Sequence, residues 1–232
     1  MTKLEELVLN RRQLEEVRQA LRERITEGLE RDGQEIRALL TYLPPPRSAP
    51  AGQALVMDCG GTNMRAALVD LLEARVVAGP LEGRIPDGRG QAVSADDFFD
   101  AQAGLIAQLK PPPQLPIGYC FSYPTHAMPT RDASLIRWTK GIHVPGVEGE
   151  LVGAALQRAM SRAGLEPGEV TVLNDTVASL LAGVLSFPHW SEHVGLIVGT
   201  GTNMAAFLPT ASIPKLPPPP PLGAEDPDTR WP

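Results

Sequence analysis

Leu55-Val56-Met57-Asp58-Cys59-Gly60-Gly61-Thr62-Asn63-Met64-Arg65 decides how the rest of the chain is read. Ala54 to Met57 is a short apolar run, Asp58 to Asn63 is polar around a glycine pair, and Met64 to Val69 is again apolar. The pattern predicts strand, tight glycine turn, strand. The two glycines permit backbone conformations closed to other residues and let main-chain N–H groups approach an anion. Thr62 and Asn63 add side-chain donors. The turn leads into a strand and carries no Gly-Lys-Ser/Thr, which separates it from a Walker loop. The same residues would also serve an ordinary hairpin turn.

Outward from this stretch, strands and helices alternate. On the N-terminal side, Leu14, Val17, Leu21, Ile25 and Leu29 recur at three- and four-residue steps. They predict a packing helix from Leu4 to Leu40, stopped by Pro44–Pro46 and without chemistry of its own. On the C-terminal side, Ser94 and Asp97 form a capping-box pattern that opens a helix running to Leu109. Ile117 to Phe121 reads as a buried strand, Glu150 to Ala163 as a helix, Val170 to Leu173 as a strand, Thr176 to Leu185 as a helix and Val194 to Val198 as a strand. This alternation predicts an α/β fold with a mostly parallel sheet and an antiparallel hairpin at its start. From Ile213 to Pro232 the chain is proline-rich and extended, with no core of its own.

Several residues at predicted strand ends carry candidate chemistry. Asp58 can hold Mg2+ through the ion's water shell, as hard oxygen ligands do. Gly199-Thr200-Gly201-Thr202-Asn203 is a second glycine turn after a strand, so the two turns could grip one nucleotide from two sides. Asn174-Asp175-Thr176 ends a strand and opens a helix. An Asp there is favoured as the anion by the helix dipole and could accept a hydroxyl proton, although these three residues alone favour a plain N-cap. Ser122, Thr139 and Lys140 are polar residues flanked by Phe121, Tyr123 and Trp138, the arrangement by which sugars are held between apolar walls, although each residue alone reads as part of a surface loop. His126, His143, His189 and His193 share no metal-ligand spacing and read as structural or exposed.

Composition narrows the classes. The 232 residues suffice for a real core, and 43% hydrophobic with 21% charged residues is ordinary for a soluble globular protein. A net charge of -6 argues against a nucleic-acid binder. Cys59 and Cys120 sit in apolar stretches and read as reduced core residues of a cytoplasmic protein. The charged start at Met1 to Glu6 is not a signal peptide, and no apolar run approaches the ~20 residues that span a bilayer.

In order along the chain, these pieces resemble the hexokinase family. Leu55 to Arg65 is similar to its first phosphate motif, and Phe121-Ser122-Tyr123-Pro124 and Trp138-Thr139-Lys140-Gly141 to its sugar-binding segments. Gly146-Val147-Glu148-Gly149 resembles the turn after them, Asn174-Asp175-Thr176-Val177 the segment with the catalytic base, and Gly195 to Asn203 the second phosphate motif. The resemblance covers Leu4 to about Leu208. It implies an actin-like ATPase (ribonuclease H-like) fold whose two lobes close over sugar and ATP. It implies phosphorylation of the 6-hydroxyl of glucose or a similar hexose, with ATP and Mg2+. Asp175 would be the base and Lys140 would counter charge on the reacting group. Ser122, Thr139, Lys140, Asn174, Asp175 and Asn203 would hold the hexose. Asp58, Gly60, Gly61, Thr62, Asn63 and Thr200 would line the ATP phosphates, with no direct protein ligand to the metal.

The family continues beyond this chain, with two sugar-binding glutamates and an adenine site further on, and Glu225 does not sit in the expected glutamate motif. The expectation is therefore an N-terminal helix (residues 1–44), a small sugar-binding domain (45–190), and the start of a truncated large domain with a proline-rich tail (191–232). A missing C-terminal half would be a partner. Two readings follow: an ATP:D-hexose 6-phosphotransferase, or a truncated, non-catalytic sugar-binding remnant or regulatory fragment. Another sugar kinase on the same fold is disfavoured by Trp138-Thr139-Lys140-Gly141.

Overall fold

The computed structural model describes residues 8–46, 51–88, 92–199 and 202–216. They fall into two compact units. Residues 8–39 and 208–216 belong to one, and residues 40–207 to the other.

The first unit is built on helix α1, Arg11–Glu30. A capping box starts it: the Gln13 N–H donates to Asn10 Oδ1 at 3.0 Å, and the Asn10 N–H donates to Gln13 Oε1 at 2.9 Å. The helix ends ten residues earlier than the apolar spacing predicts, and residues 1–7 lie outside the described residues. Tertiary contacts explain the early stop. Gly33 takes a left-handed φ of +80°, and the chain folds back so closely that a Cβ on Gly28 would lie 1.9 Å from the Ile36 carbonyl oxygen. Lys215 fixes this return, donating to Asp32 Oδ1 and to the carbonyls of Arg37 and Ala38 at 2.8–3.1 Å. Pro44–Pro46 therefore does not end the helix. Leu14, Val17 and Leu21, expected to pack, are each more than half exposed.

The second unit holds a five-stranded sheet of order β3-β2-β1-β4-β7. Strands β1 (Gln53–Cys59), β2 (Asn63–Asp70) and β3 (Arg75–Arg84) are antiparallel neighbours. Strands β4 (Ile117–Phe121) and β7 (Val170–Leu173) continue the sheet in parallel from β1. Side chains alternate between faces. Leu55, Met57, Cys59, Ile117, Tyr119, Phe121, Val170 and Val172 turn inward, under helices α2 (Ala95–Ala107) and α3 (Val152–Arg162). Asp58, Cys120 and Leu173, paired in register across β1, β4 and β7, turn the other way. The capping box at Ser94 and Asp97 forms as predicted and starts α2.

Between β4 and α3 lies a short hairpin, β5 (Thr125–Ala127) and β6 (Ala133–Leu135), which the sequence did not announce. It supplies the cap that α3 lacks. Leu151 at the N-cap position makes no side-chain hydrogen bond. Asp132 instead accepts from the N–H groups of Ala133, Gly153 and Ala154 at 2.6–2.9 Å. Gly153 has to be small, because a Cβ would sit 2.7 Å from Asp132 Oδ1. Beyond β7, helix α4 (Asp175–Ser186) is followed by a separate hairpin, β8 (Val194–Val198) and β9 (Thr202–Ala206). Gly195 is buried against α4, while Val194, Leu196, Val198 and Met204 are largely exposed. Among the described residues no helix is long and apolar enough to cross a membrane.

Asp132→Ala is expected to lower the unfolding free energy by about 1–3 kcal/mol in urea titrations, the cost of leaving helix N–H groups uncapped. Gly153→Ala should act through the same cap. The double variant should then cost little more than Asp132→Ala alone, whereas additive losses would show two independent effects.

Candidate active site

The carboxyl ends of β1, β4 and β7 share one edge of the sheet, the usual position for ligands in open α/β sheets. The chain leaves β1 at Gly60-Gly61, β4 at Ser122 and β7 at Asn174-Asp175. Neighbouring strands lie ~4.8 Å apart, so β1 and β7 leave a gap of about 10 Å across β4, room for a hydroxyl group beside a phosphate. The sequence-predicted residues on these strand ends are thus brought to a single edge.

The Gly60-Gly61 turn is tight for a different reason from the one expected. Neither glycine has a left-handed φ; both are small because other groups come close. The Gly60 N–H donates to the Asn63 carbonyl at 3.1 Å, and a Cβ on Gly60 would lie 3.1 Å from that oxygen. A Cβ on Gly61 would meet Lys140 Cδ at 2.7 Å, so the lysine stem runs along this glycine. The Tyr123 hydroxyl donates to the Gly60 carbonyl. The Ser122 N–H donates to the Cys59 carbonyl at 3.1 Å and ties the end of β4 to the end of β1.

Lys140 reaches the same edge from a loop. Its Nζ donates to the Ser122 carbonyl at 2.8 Å and stands 5.4 Å from the centre of the Tyr123 ring. The lysine has a φ of +58°, a conformation that costs a non-glycine residue about 1–2 kcal/mol. Trp138 holds the turn in place. Its ring packs edge-on against Phe98 and Tyr123, its Nε1–H donates to the Val144 carbonyl, and its N–H donates to Glu148. Thr139 follows Trp138, half-buried, and its carbonyl accepts from the Ile142 N–H.

At the third strand end, Asn174 caps α4. The Thr176 N–H donates to Asn174 Oδ1 at 3.0 Å and to Asp175 Oδ1 at 2.8 Å. Asn203, at the start of β9, donates from Nδ2 to Asn174 Oδ1 at 2.9 Å, which brings the second glycine-turn segment to the same place. Thr200 and Gly201 lie outside the described residues. Thr62 is exposed at the turn, and its carbonyl accepts from the Ile85 N–H.

Charge is concentrated here. Burial pushes the Asp58 carboxyl above its ordinary value. The Cys120 thiol and the Arg65 guanidinium pull it down, the nearby Asp175 carboxylate pushes it up, and Lys140 pulls it down. Asp175 is therefore near enough, across β4, to act on Asp58. Cys120 lies between them, its thiol pushed up to about 12 by burial and then by those two carboxylates. The sequence reading placed Cys120 in the core with Cys59. Cys59 is buried, but Cys120 faces the site, since it is the register partner of Asp58. Period-two alternation through Ile117 to Phe121 was the available signal. Two further residues went unassigned: Arg65, whose Nη1 is 3.6 Å from Asp58 Oδ2, and Glu82 on β3, which accepts from both Asn63 and Arg65. His126, His143 and His189 are exposed, and His193 meets the Phe187 carbonyl.

A family model described as Hexokinase matches residues 2–185. Hexokinase-3 of the mouse, Mus musculus, is 32% identical over 216 residues, which cover 87% of this chain and 23% of the mouse protein. Among solved structures, a hexokinase from Schistosoma mansoni complexed with glucose is 30% identical, with a TM-score of 0.68, and is matched over 82% of this chain and 45% of its own. A second hexokinase structure is 25% identical with a TM-score of 0.67, matched over 89% of this chain and 52% of its own. The fold is the actin-like ATPase fold that the resemblance implies, and the chain spans about half or less of each of these relatives.

Ionising Asp58 costs more in the folded chain than in the unfolded one. Its contribution to stability is therefore present while it is protonated and is lost as pH rises through its elevated folded value. Asp58→Asn is expected to resist urea better than the unmodified chain at pH 7, with the difference closing below the ordinary carboxylate range. Equal midpoints at both pH values would contradict the assignment of Asp58 to a desolvated site.

Proposed function

The chain belongs to the hexokinase family, and on that premise we propose that it binds glucose or a similar hexose and transfers the terminal phosphoryl group of ATP to the 6-hydroxyl. The observation that carries this reading is the meeting of Asp175 and Asp58 at one sheet edge, beside the Gly60-Gly61 turn and Lys140. Residues 45–190 would be the sugar-binding lobe and residues 191–232 the beginning of a second lobe.

Phosphoryl transfer asks little covalent chemistry of a protein; it needs positioning and charge stabilisation. Asp175 Oδ1 is tied to the Thr176 N–H, which fixes the carboxylate so that its other oxygen would take the proton of the 6-hydroxyl. Asn174, Asn203, Ser122, Thr139 and Lys140 would hold the remaining hydroxyls, each replacing a hydrogen bond of the sugar with water. Lys140 would also stabilise negative charge on the transferring group. Gly60, Gly61, Thr62, Asn63 and Thr200 would face the phosphates of ATP.

The residues fit a hydrated Mg2+ ion. Asp58 is a half-buried hard oxygen donor beside the Gly60-Gly61 turn. Mg2+ takes few protein ligands and keeps its waters, so Asp58 would hold it through the water shell. When bound, the ion neutralises charge on the phosphates.

A second reading is hexose binding without turnover. The chain spans 45% of the Schistosoma hexokinase, so turnover has to be measured on this chain itself.

One pair of measurements separates them. Glucose titrated into the chain should change tryptophan fluorescence, because Trp138 adjoins Thr139 and Lys140. ADP release with glucose and MgATP should fall by about 10²–10⁴-fold in Asp175→Asn, with the fluorescence response retained. A glucose response without ADP release in the unmodified chain would establish the second reading. No glucose response at all would remove both.

A further inference from the structure

Asp58, Arg65 and Glu82 are direct register partners across β1, β2 and β3, so they form a charge ladder on the outward face of the sheet. Arg65 Nη1 stands 3.6 Å from Asp58 Oδ2, and Arg65 Nη2 donates to Glu82 Oε1 at 3.4 Å. The same oxygen, Glu82 Oε1, accepts from Asn63 Nδ2 at 2.5 Å. A single carboxylate oxygen thus takes a side-chain amide and a guanidinium beside the Gly60-Gly61 turn. Those are the two donors, one neutral and one cationic, that a phosphate oxygen arriving at this turn would use.

We propose that Glu82 is an internal competitor for the phosphate donor: its carboxylate occupies Asn63 and Arg65 and sets how tightly the turn holds a polyphosphate anion. This rests on the reading of the Gly60–Asn63 turn as the site of the ATP phosphates. The geometry favours a competitor over a fixed strut. Glu82 and Arg65 are each about half exposed, so their pairing is screened by water and easily exchanged. Strand β3 is an edge strand, so Glu82 can turn away without disturbing the core. A donor that binds must displace the carboxylate or lie beside a like charge; either lowers its affinity. Glu82 is a positioning residue in this scheme and touches no reacting atom.

The test is titration of magnesium tripolyphosphate and of MgATP into the full chain by calorimetry. Glu82→Gln keeps the shape and removes the charge, and should tighten both probes by roughly two- to five-fold, the worth of an exposed charge pair at contact distance. Glu82→Ala should do the same by another route. Glu73→Gln, at the far end of the β2–β3 hairpin, removes an equal net charge and should leave both affinities unchanged. Asn63→Ala should weaken binding and shrink the gain from Glu82→Gln. A purely structural role for Glu82 cannot produce tighter binding. Unchanged or weaker binding in Glu82→Gln, with Asn63→Ala still weakened, would overturn the competitor role and leave the phosphate turn standing. No binding of either probe to any of these chains at millimolar concentration would overturn the competitor together with the phosphate turn.

Discussion

Everything at the site depends on the register of the two parallel pairs, β1 with β4 and β4 with β7. In that register Asp58 lies opposite Cys120 and Cys120 opposite Leu173, while Met57, Tyr119 and Val172 face the core. A slip of one residue would turn a carboxylate into the hydrophobic layer under α2 and α3 and bring an apolar side chain to the site edge. The core therefore enforces the chemistry. Tyr119, Phe121, Leu55 and Met57 are almost fully buried and leave no alternative pairing at comparable cost.

The charges placed there are balanced by a mixture of strand and loop residues. Asp58 has Arg65 beside it within the sheet, while Lys140 arrives on a turn with a left-handed backbone. Such strain persists only where the surroundings over-determine it. Here those surroundings are the aromatic contacts of Trp138 and its bonds to Val144 and Glu148.

Strands β4, β7 and β8 were legible to the residue, because each is an apolar run bounded by proline, glycine or polar segments. The residues just past their ends, Ser122, Asn174 and Asp175, were legible as site candidates for the same reason. Strand β3 was not: Arg75–Arg84 contains two glycines and a proline and has no clean alternation. Strands β5 and β6 are three residues each, too short for any period to show. The end of α1 was hidden because it is set by Lys215, far along the chain. Cys120 could be read from the alternation of β4, but Glu82 could not. On a strand without that alternation, which side faces a site is set by the pairing with its neighbours, and a single chain of letters does not carry it.

The β8–β9 hairpin has a bearing on handling the protein. One face rests on α4, and the other presents Val194, Leu196, Val198 and Met204 to water; among the described residues no further strand pairs with either edge of the hairpin. Alternating apolar residues beside free backbone donors and acceptors form a template for intermolecular sheet growth. Kosmotropic salts such as ammonium sulfate strengthen that attraction. Dilute, low-sulfate buffers are accordingly expected to keep copies of this hairpin apart.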